Sequence, residues 1–143
     1  MASVVHLFRA PKRRLSMEEV ATADAVTDFG FAGCAHAKKS GMRQVLLVDK
    51  ETLDAMDLQA GIIRENITTE GINVNGLGLG EQLRIGTVLL QVSAVCTPCD
   101  QLEKVRPGLR REIYGRRGKL CQFLQGGTIR SGDAIARPTA ASS

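Results

Sequence analysis

The chain has 143 residues and a mass of 15.4 kDa, the size of one ordinary domain built around a single packed core. No apolar run reaches the length of a membrane span, which excludes a helical membrane protein, and four cysteines are too few for a disulfide scaffold. A net charge of +4 favours anionic partners, yet an aromatic share of 3% argues against stacking on nucleic acid and leaves a phosphorylated small molecule at least as suitable.

The N-terminal stretch MASVVHLFRAPKRRLS places its basic cluster, Lys12 to Arg14, after a short apolar run, the reverse of a secretory signal. The chain therefore reads as cytoplasmic, with its cysteines as free thiols. Short β-branched or alternating segments follow one another between glycines: 3–8, 23–29, 44–49, 66–74, 81–85, 87–95 and 119–124. Their spacing predicts a mainly β domain whose antiparallel sheet closes or folds on itself, with no βαβ pattern. Between 30 and 43 lies the longest irregular stretch, GFAGCAHAKKSGMR, and a long ordered loop in a small domain usually carries function. Asp49 can cap a helix over 50–58 with Leu53, Met56 and Leu58 inward and Gly61 as its stop. Segment 101–115 reads as two short helical pieces broken at Pro107. Residues 1–136 form one domain on this reading and 137–143 a flexible tail.

Chemistry concentrates at VCTPCDQL, Val95 to Leu102. A CxxC suggests a redox pair or half a zinc site, but a thioredoxin-like scaffold needs a parallel sheet, and zinc needs a second knuckle that the chain lacks. No zinc is expected. Cys96 continues an apolar strand and Cys121 lies inside another, so both read as packing. Cys99 differs: Pro98 stops the strand and Asp100 can open a helix, which puts this thiol at a corner where nearby amides stabilise a thiolate. Arg43 and Arg64 each enter a strand, in RQVLLVD and RENITTEG, with Asn66 beside the second. Arginines so placed are either solvated at a loop edge or bind phosphate or carboxylate, and the nearby GRRG of 115–118 favours an anion pocket. His36 is either a loop residue bonded to backbone or a ligand. The glycines of NGLGLGE, 75–81, lie between strand segments and read as turns, not as a dinucleotide fingerprint.

In order, GFAGCAH with RQVLLVD, RENITTEGI with LGLGEQLRIGTVLLQVS, CTPCDQL, and GRRGKLCQFLQGGTIRSGDAI span residues 30–135, and together they resemble a stand-alone MOSC domain, the module named after the C-terminal domain of molybdenum cofactor sulfurase. The resemblance implies a β-barrel-like fold with a few short helices and binding of molybdenum cofactor (molybdopterin), or of a related sulfur-carrying species. The matching cysteine, Cys99, would carry sulfur or ligate molybdenum, and Arg43, Arg64, Asn66 and His36 would hold the pterin cofactor and its phosphate. It further implies sulfur transfer, or reduction of N-hydroxylated substrates with a partner reductase or a cofactor-biosynthesis protein. Any pyridoxal chemistry would come from another polypeptide. Where many members show Asp in a G-D-x-H pattern, this chain has Cys34 before His36. The rival reading is a non-enzymatic β-barrel module that binds nucleic acid or a partner protein through its arginines.

Overall fold

A computed structural model describes residues 2–10, 17–34, 41, 44–96 and 101–137. In chain order its strands are β1 (Ser3–Arg9), β2 (Glu18–Val20), β3 (Thr22–Val26), β4 (Gly30–Phe31), β5 (Val45–Asp49), β6 (Ile67–Glu70), β7 (Gln82–Ile85), β8 (Val88–Val95), β9 (Lys119–Gln125), β10 (Gly127–Arg130) and β11 (Ile135–Ala136). The helices are short: α1 (Lys50–Ala55), α2 (Leu102–Val105) and α3 (Leu109–Glu112), with one 3-10 turn at Val74–Gly76. The mainly β class read from the sequence holds.

Eight strands form one sheet in the order β11-β7-β8-β9-β5-β6-β1-β2, and β10-β3-β4 form a second. The ladder does not close on itself, but the start of β1 meets the residues that lead into β11 along a seam. Ser3 bridges Ala134, Val4 N–H donates to Asp133 O (2.8 Å), Gly132 N–H to Val4 O (2.7 Å) and Ile135 N–H to Ala2 O (2.9 Å). The result is barrel-like, with few open backbone groups along that edge.

Two expectations about the sheet are corrected. β5 and β6 pair in parallel, Leu47 with Ile67 and Asp49 with Thr69, so β5-α1-β6 is a βαβ unit within an otherwise antiparallel sheet. Parallel neighbours need a crossover, and the helix legible at 50–55 provides it. The strand expected over 66–74 ends at Glu70, where Gly71 takes a positive φ of 83° and starts a turn that leads into the 3-10 segment. Asp49 does hold the N-cap position of α1, but its side chain makes no capping bond, and the helix ends at Ala55 instead of reaching Leu58.

β5 explains how the core divides. Its VLLVD is buried throughout, and alternation sends successive side chains to opposite faces. Val45 and Leu47 join the barrel interior with Leu7, Ile67, Leu90, Cys121 and Phe123. Leu46 and Val48 join an outer layer with Leu53, Ile63, Cys96, Leu102, Leu109, Ile113 and Leu120. The two helical pieces on either side of Pro107 belong to this outer layer, as the apolar residues before and after the proline predict. No helix among the described residues is long and apolar enough to cross a membrane.

Candidate functional site

The turn Gly61–Asn66 sets four neighbouring side chains into four surroundings. Ile63 is buried in the outer layer, Arg64 faces a groove, Glu65 is buried within the turn itself, and Asn66 is buried between β1 and β5. This requires a kink, and Arg64 takes a left-handed φ of 67°, which costs an unbranched residue about 1–2 kcal/mol. Its N–H is held by Gly61 O at 3.0 Å, and Gly61 itself (φ 86°) packs so closely on the Phe8 ring that a Cβ there would sit 2.8 Å from Phe8 Cε1.

Asn66 stitches β1 to β5 where the regular ladder stops. Its N–H donates to Leu46 O (2.9 Å) while its Oδ1 accepts from Leu46 N–H (3.0 Å). Its carbonyl accepts from Phe8 N–H (2.8 Å), and Nδ2 donates to Phe8 O (3.2 Å) and to Cys34 Sγ (3.5 Å). Sγ of Cys34 also accepts from Ala10 N–H at 3.4 Å. The Cys34 thiol thus sits buried where two N–H donors converge.

Glu65 and Arg117 hold the turn from inside. Glu65 is wholly buried, its Oε2 accepting from Gly61 N–H (2.7 Å) and Thr68 Oγ1 (3.0 Å). Burial pushes its carboxyl above the usual value, against the pull of those hydrogen bonds and of the Arg117 charge. Arg117, from GRRG, is itself buried and donates through Nη2 to Ile63 O (2.7 Å). The sequence pointed to Arg64 and Asn66 and passed over the Glu65 between them. A charged residue between an arginine at a strand entry and a buried strand was the available signal.

Beside this turn lies a groove of about 730 Å³. Phe8, Met17, Ile62 and Val105 supply apolar walls, and Arg64, Lys104 and Gln101 supply cationic and amide groups. Gln101 is the first described residue after the 97–100 segment that contains Cys99. On the other side of that segment Cys96 is buried in the outer layer, with its N–H on Gly118 O at 3.2 Å. Cys121 is buried in the barrel, and its thiol is pushed up to about 12 by burial. Cys96 and Cys121 are packing residues in this geometry, as their apolar neighbours predict. His36, Arg43 and Cys99 lie outside the described residues. Among the described residues no three His, Cys, Asp or Glu side chains gather as metal ligands.

No curated protein sequence matches the chain. Among solved structures, YuaD from Bacillus subtilis superposes with a TM-score of 0.77 at 19% identity, covering 94% of each chain. YiiM from Geobacillus stearothermophilus gives 0.79 at 20% identity over 97% of this chain and 76% of its own. YiiM from Escherichia coli gives 0.71 at 18% identity over 96% and 70%. Identities this low establish a shared fold. The model of the MOSC domain matches residues 36–136. Together with the ordered motifs, that match over most of the chain settles descent: the protein belongs to the MOSC domain family, which is linked to the molybdenum cofactor.

Proposed function

We propose that the chain binds molybdenum cofactor or a related sulfur-carrying species in the groove beside the Gly61–Asn66 turn, with the Cys99 thiolate as sulfur carrier or molybdenum ligand. The observation that carries this reading is the make-up of the groove: two cations and an amide on Arg64, Lys104 and Gln101 face apolar walls, and Gln101 follows Cys99 by two positions in the sequence. Such a donor set fits a ligand with an anionic group and a flat ring. Arg64 suits the phosphate, since a guanidinium binds it through two parallel N–H groups, and Arg43 is assigned the same task. Phe8 and Val105, which line the groove, would shield a bound ring from water. Asn66 acts by position: its amide is spent on Leu46, Phe8 and Cys34, so it fixes the backbone from which Arg64 projects. His36 is assigned to the same site as a polar neighbour.

The bound group would supply a metal centre able to exchange sulfur, oxygen or electrons. The chain's own work is to bind it, orient it and offer one thiolate, a soft ligand and a good sulfur acceptor. Reduction of N-hydroxylated substrates with a partner reductase is the enzymatic form of this proposal.

The test is titration of the purified chain with molybdenum cofactor released from a molybdoenzyme, followed by metal and pterin analysis of the protein fraction. Stoichiometric retention is expected. Cys99→Ser should lose molybdenum or sulfur retention with an unchanged melting curve, and Arg64→Ala should weaken binding about tenfold or more, the loss of a charge-assisted hydrogen bond. Undiminished retention by Cys99→Ser would overturn the role of that thiol.

A further inference from the structure

Residues 101–118 contain six of the chain's 19 Lys and Arg but only two of its 15 Asp and Glu. This one segment therefore accounts for the whole net charge of +4, and the remaining residues carry equal numbers of each sign. The segment is the helical hairpin α2–α3 with the GRRG turn behind it. We infer that its outer face is a docking surface for an acidic patch on a partner protein.

The hairpin is built to present cations. Leu102, Leu109 and Ile113 are buried in the outer layer and fix which side faces water. Both acids are consumed internally. Glu103 accepts Gly108 N–H (3.0 Å) and Arg110 N–H (2.9 Å), capping α3, and these bonds hold its carboxyl below the usual value. Glu112 takes Arg106 (3.2 Å), whose Nη1 also donates to Met56 O at 2.8 Å and ties the hairpin to the end of α1. Arg117 faces inward. Lys104, Arg110, Arg111 and Arg116 are exposed, and Arg116 is steadied by a bond from its Nη2 to Glu112 O at 3.2 Å.

Among them stands Tyr114, the chain's only tyrosine, 79% exposed. An aromatic ring held in water among arginines has the composition of a protein interface, where Tyr and Arg carry most of the binding energy. The extent of the patch argues for a protein over a nucleic acid. Duplex phosphates recur about every 1.7 Å along the axis and single strands call for several stacking rings, whereas this patch is one short hairpin with one ring. Its edge, Lys104 and Val105, is also the wall of the groove, so a docked partner would lie at the groove's mouth. The inference stands whether or not the groove holds a pterin.

The probe is a synthetic peptide rich in Asp and Glu with one central Phe, compared with its Asn/Gln counterpart and with an oligothymidylate of equal charge. Binding is followed by anisotropy across a salt series and mapped by amide chemical shifts. The acidic peptide should bind in a salt-dependent way, with shifts confined to 101–118, while the neutral counterpart does not bind. Arg111→Glu/Arg116→Glu should weaken it about tenfold or more, and Tyr114→Ala about threefold or more. Arg84→Glu/Arg130→Glu, the same charge change at exposed positions elsewhere, should leave it within about twofold. Equal weakening by the two double variants, or shifts spread over the sheet, would reduce the effect to net charge and overturn the proposal. Tighter binding of the oligothymidylate than of the peptide would overturn it in favour of nucleic acid. Melting curves of each variant check that the fold is kept.

Discussion

The two faces of β5 are packed against different kinds of cover. On one, Val45 and Leu47 face a barrel interior walled by strands that hydrogen-bond one another, with Phe31 and Phe123 in ring contact at 5.5 Å. On the other, Leu46 and Val48 are covered by helices of four to six residues, far too short to be stable alone, which persist because Leu102, Leu109 and Ile113 anchor them. The interior is nearly all apolar. Against the outer layer lie a buried Glu65, a buried Arg117, the kinked Arg64, the groove and the basic hairpin. A barrel-like, strand-walled core thus backs a thinly covered face, and chemistry gathers where rearranging a few residues does not cost the fold.

Substitutions in the two layers should separate them. The largest effect is expected from Phe123→Ala, about 4 kcal/mol of global stability, read from denaturant unfolding. Ile113→Ala, buried to the same degree in the outer layer, should cost about 3 kcal/mol. Its signature is local, with amide exchange rising over 102–113 while β5 and β9 stay protected. Equal deprotection of the barrel would show that the two layers unfold as one and would break the comparison. Asn66→Ala joins the layers at their shared edge; leaving Leu46 N–H and Phe8 O without their side-chain partners should cost about 2 kcal/mol by the same unfolding measurement.

Glu65 gives the smallest and most specific effect. Its carboxyl is held above the ordinary value of 4.5, so the folded chain keeps a proton that the unfolded chain has already released. Its contribution is therefore complete below that value and declines as pH rises from it towards the shifted one. Glu65→Gln should remove this decline from a series of melting temperatures taken at increasing pH. A variant whose melting temperature falls as steeply as that of the parent would show that another group titrates.

The sequence made the long elements legible because they obey a period. Seven apolar segments between glycines map onto strands, and Leu53 and Met56 mark the buried side of α1. What stayed hidden is short or depends on distant partners. Glu18–Val20, Gly127–Arg130 and Ile135–Ala136 have too few apolar residues to show alternation and are strands only because Leu7, Ala23 and Ile85 pair with them. Gly30–Phe31 lay inside a stretch read as loop for the same reason. Parallel pairing of β5 with β6 is a tertiary choice, since one buried strand looks alike in either direction. At the site, Arg64 and Asn66 stood out by residue type. The burial of Glu65 and Arg117 could not be read, because it depends on a turn and a GRRG loop that are distant in sequence and meet at Ile63.

The seam between Ser3 and Ala134 bears on how the molecule comes into being. The first strand finds its partner on one side at Ile67 to Glu70; on the other, Leu7–Arg9 pair with β2, but Ala2–Val4 find theirs only in residues 132–135, nearly the whole chain away. Until residues 132–135 have left the ribosome, the N-terminal half of β1 has an unpaired edge and the interior stays open to water on that side. Closure of so distant a contact is an entropically slow step, and during synthesis it comes after the hairpins and the crossover have formed.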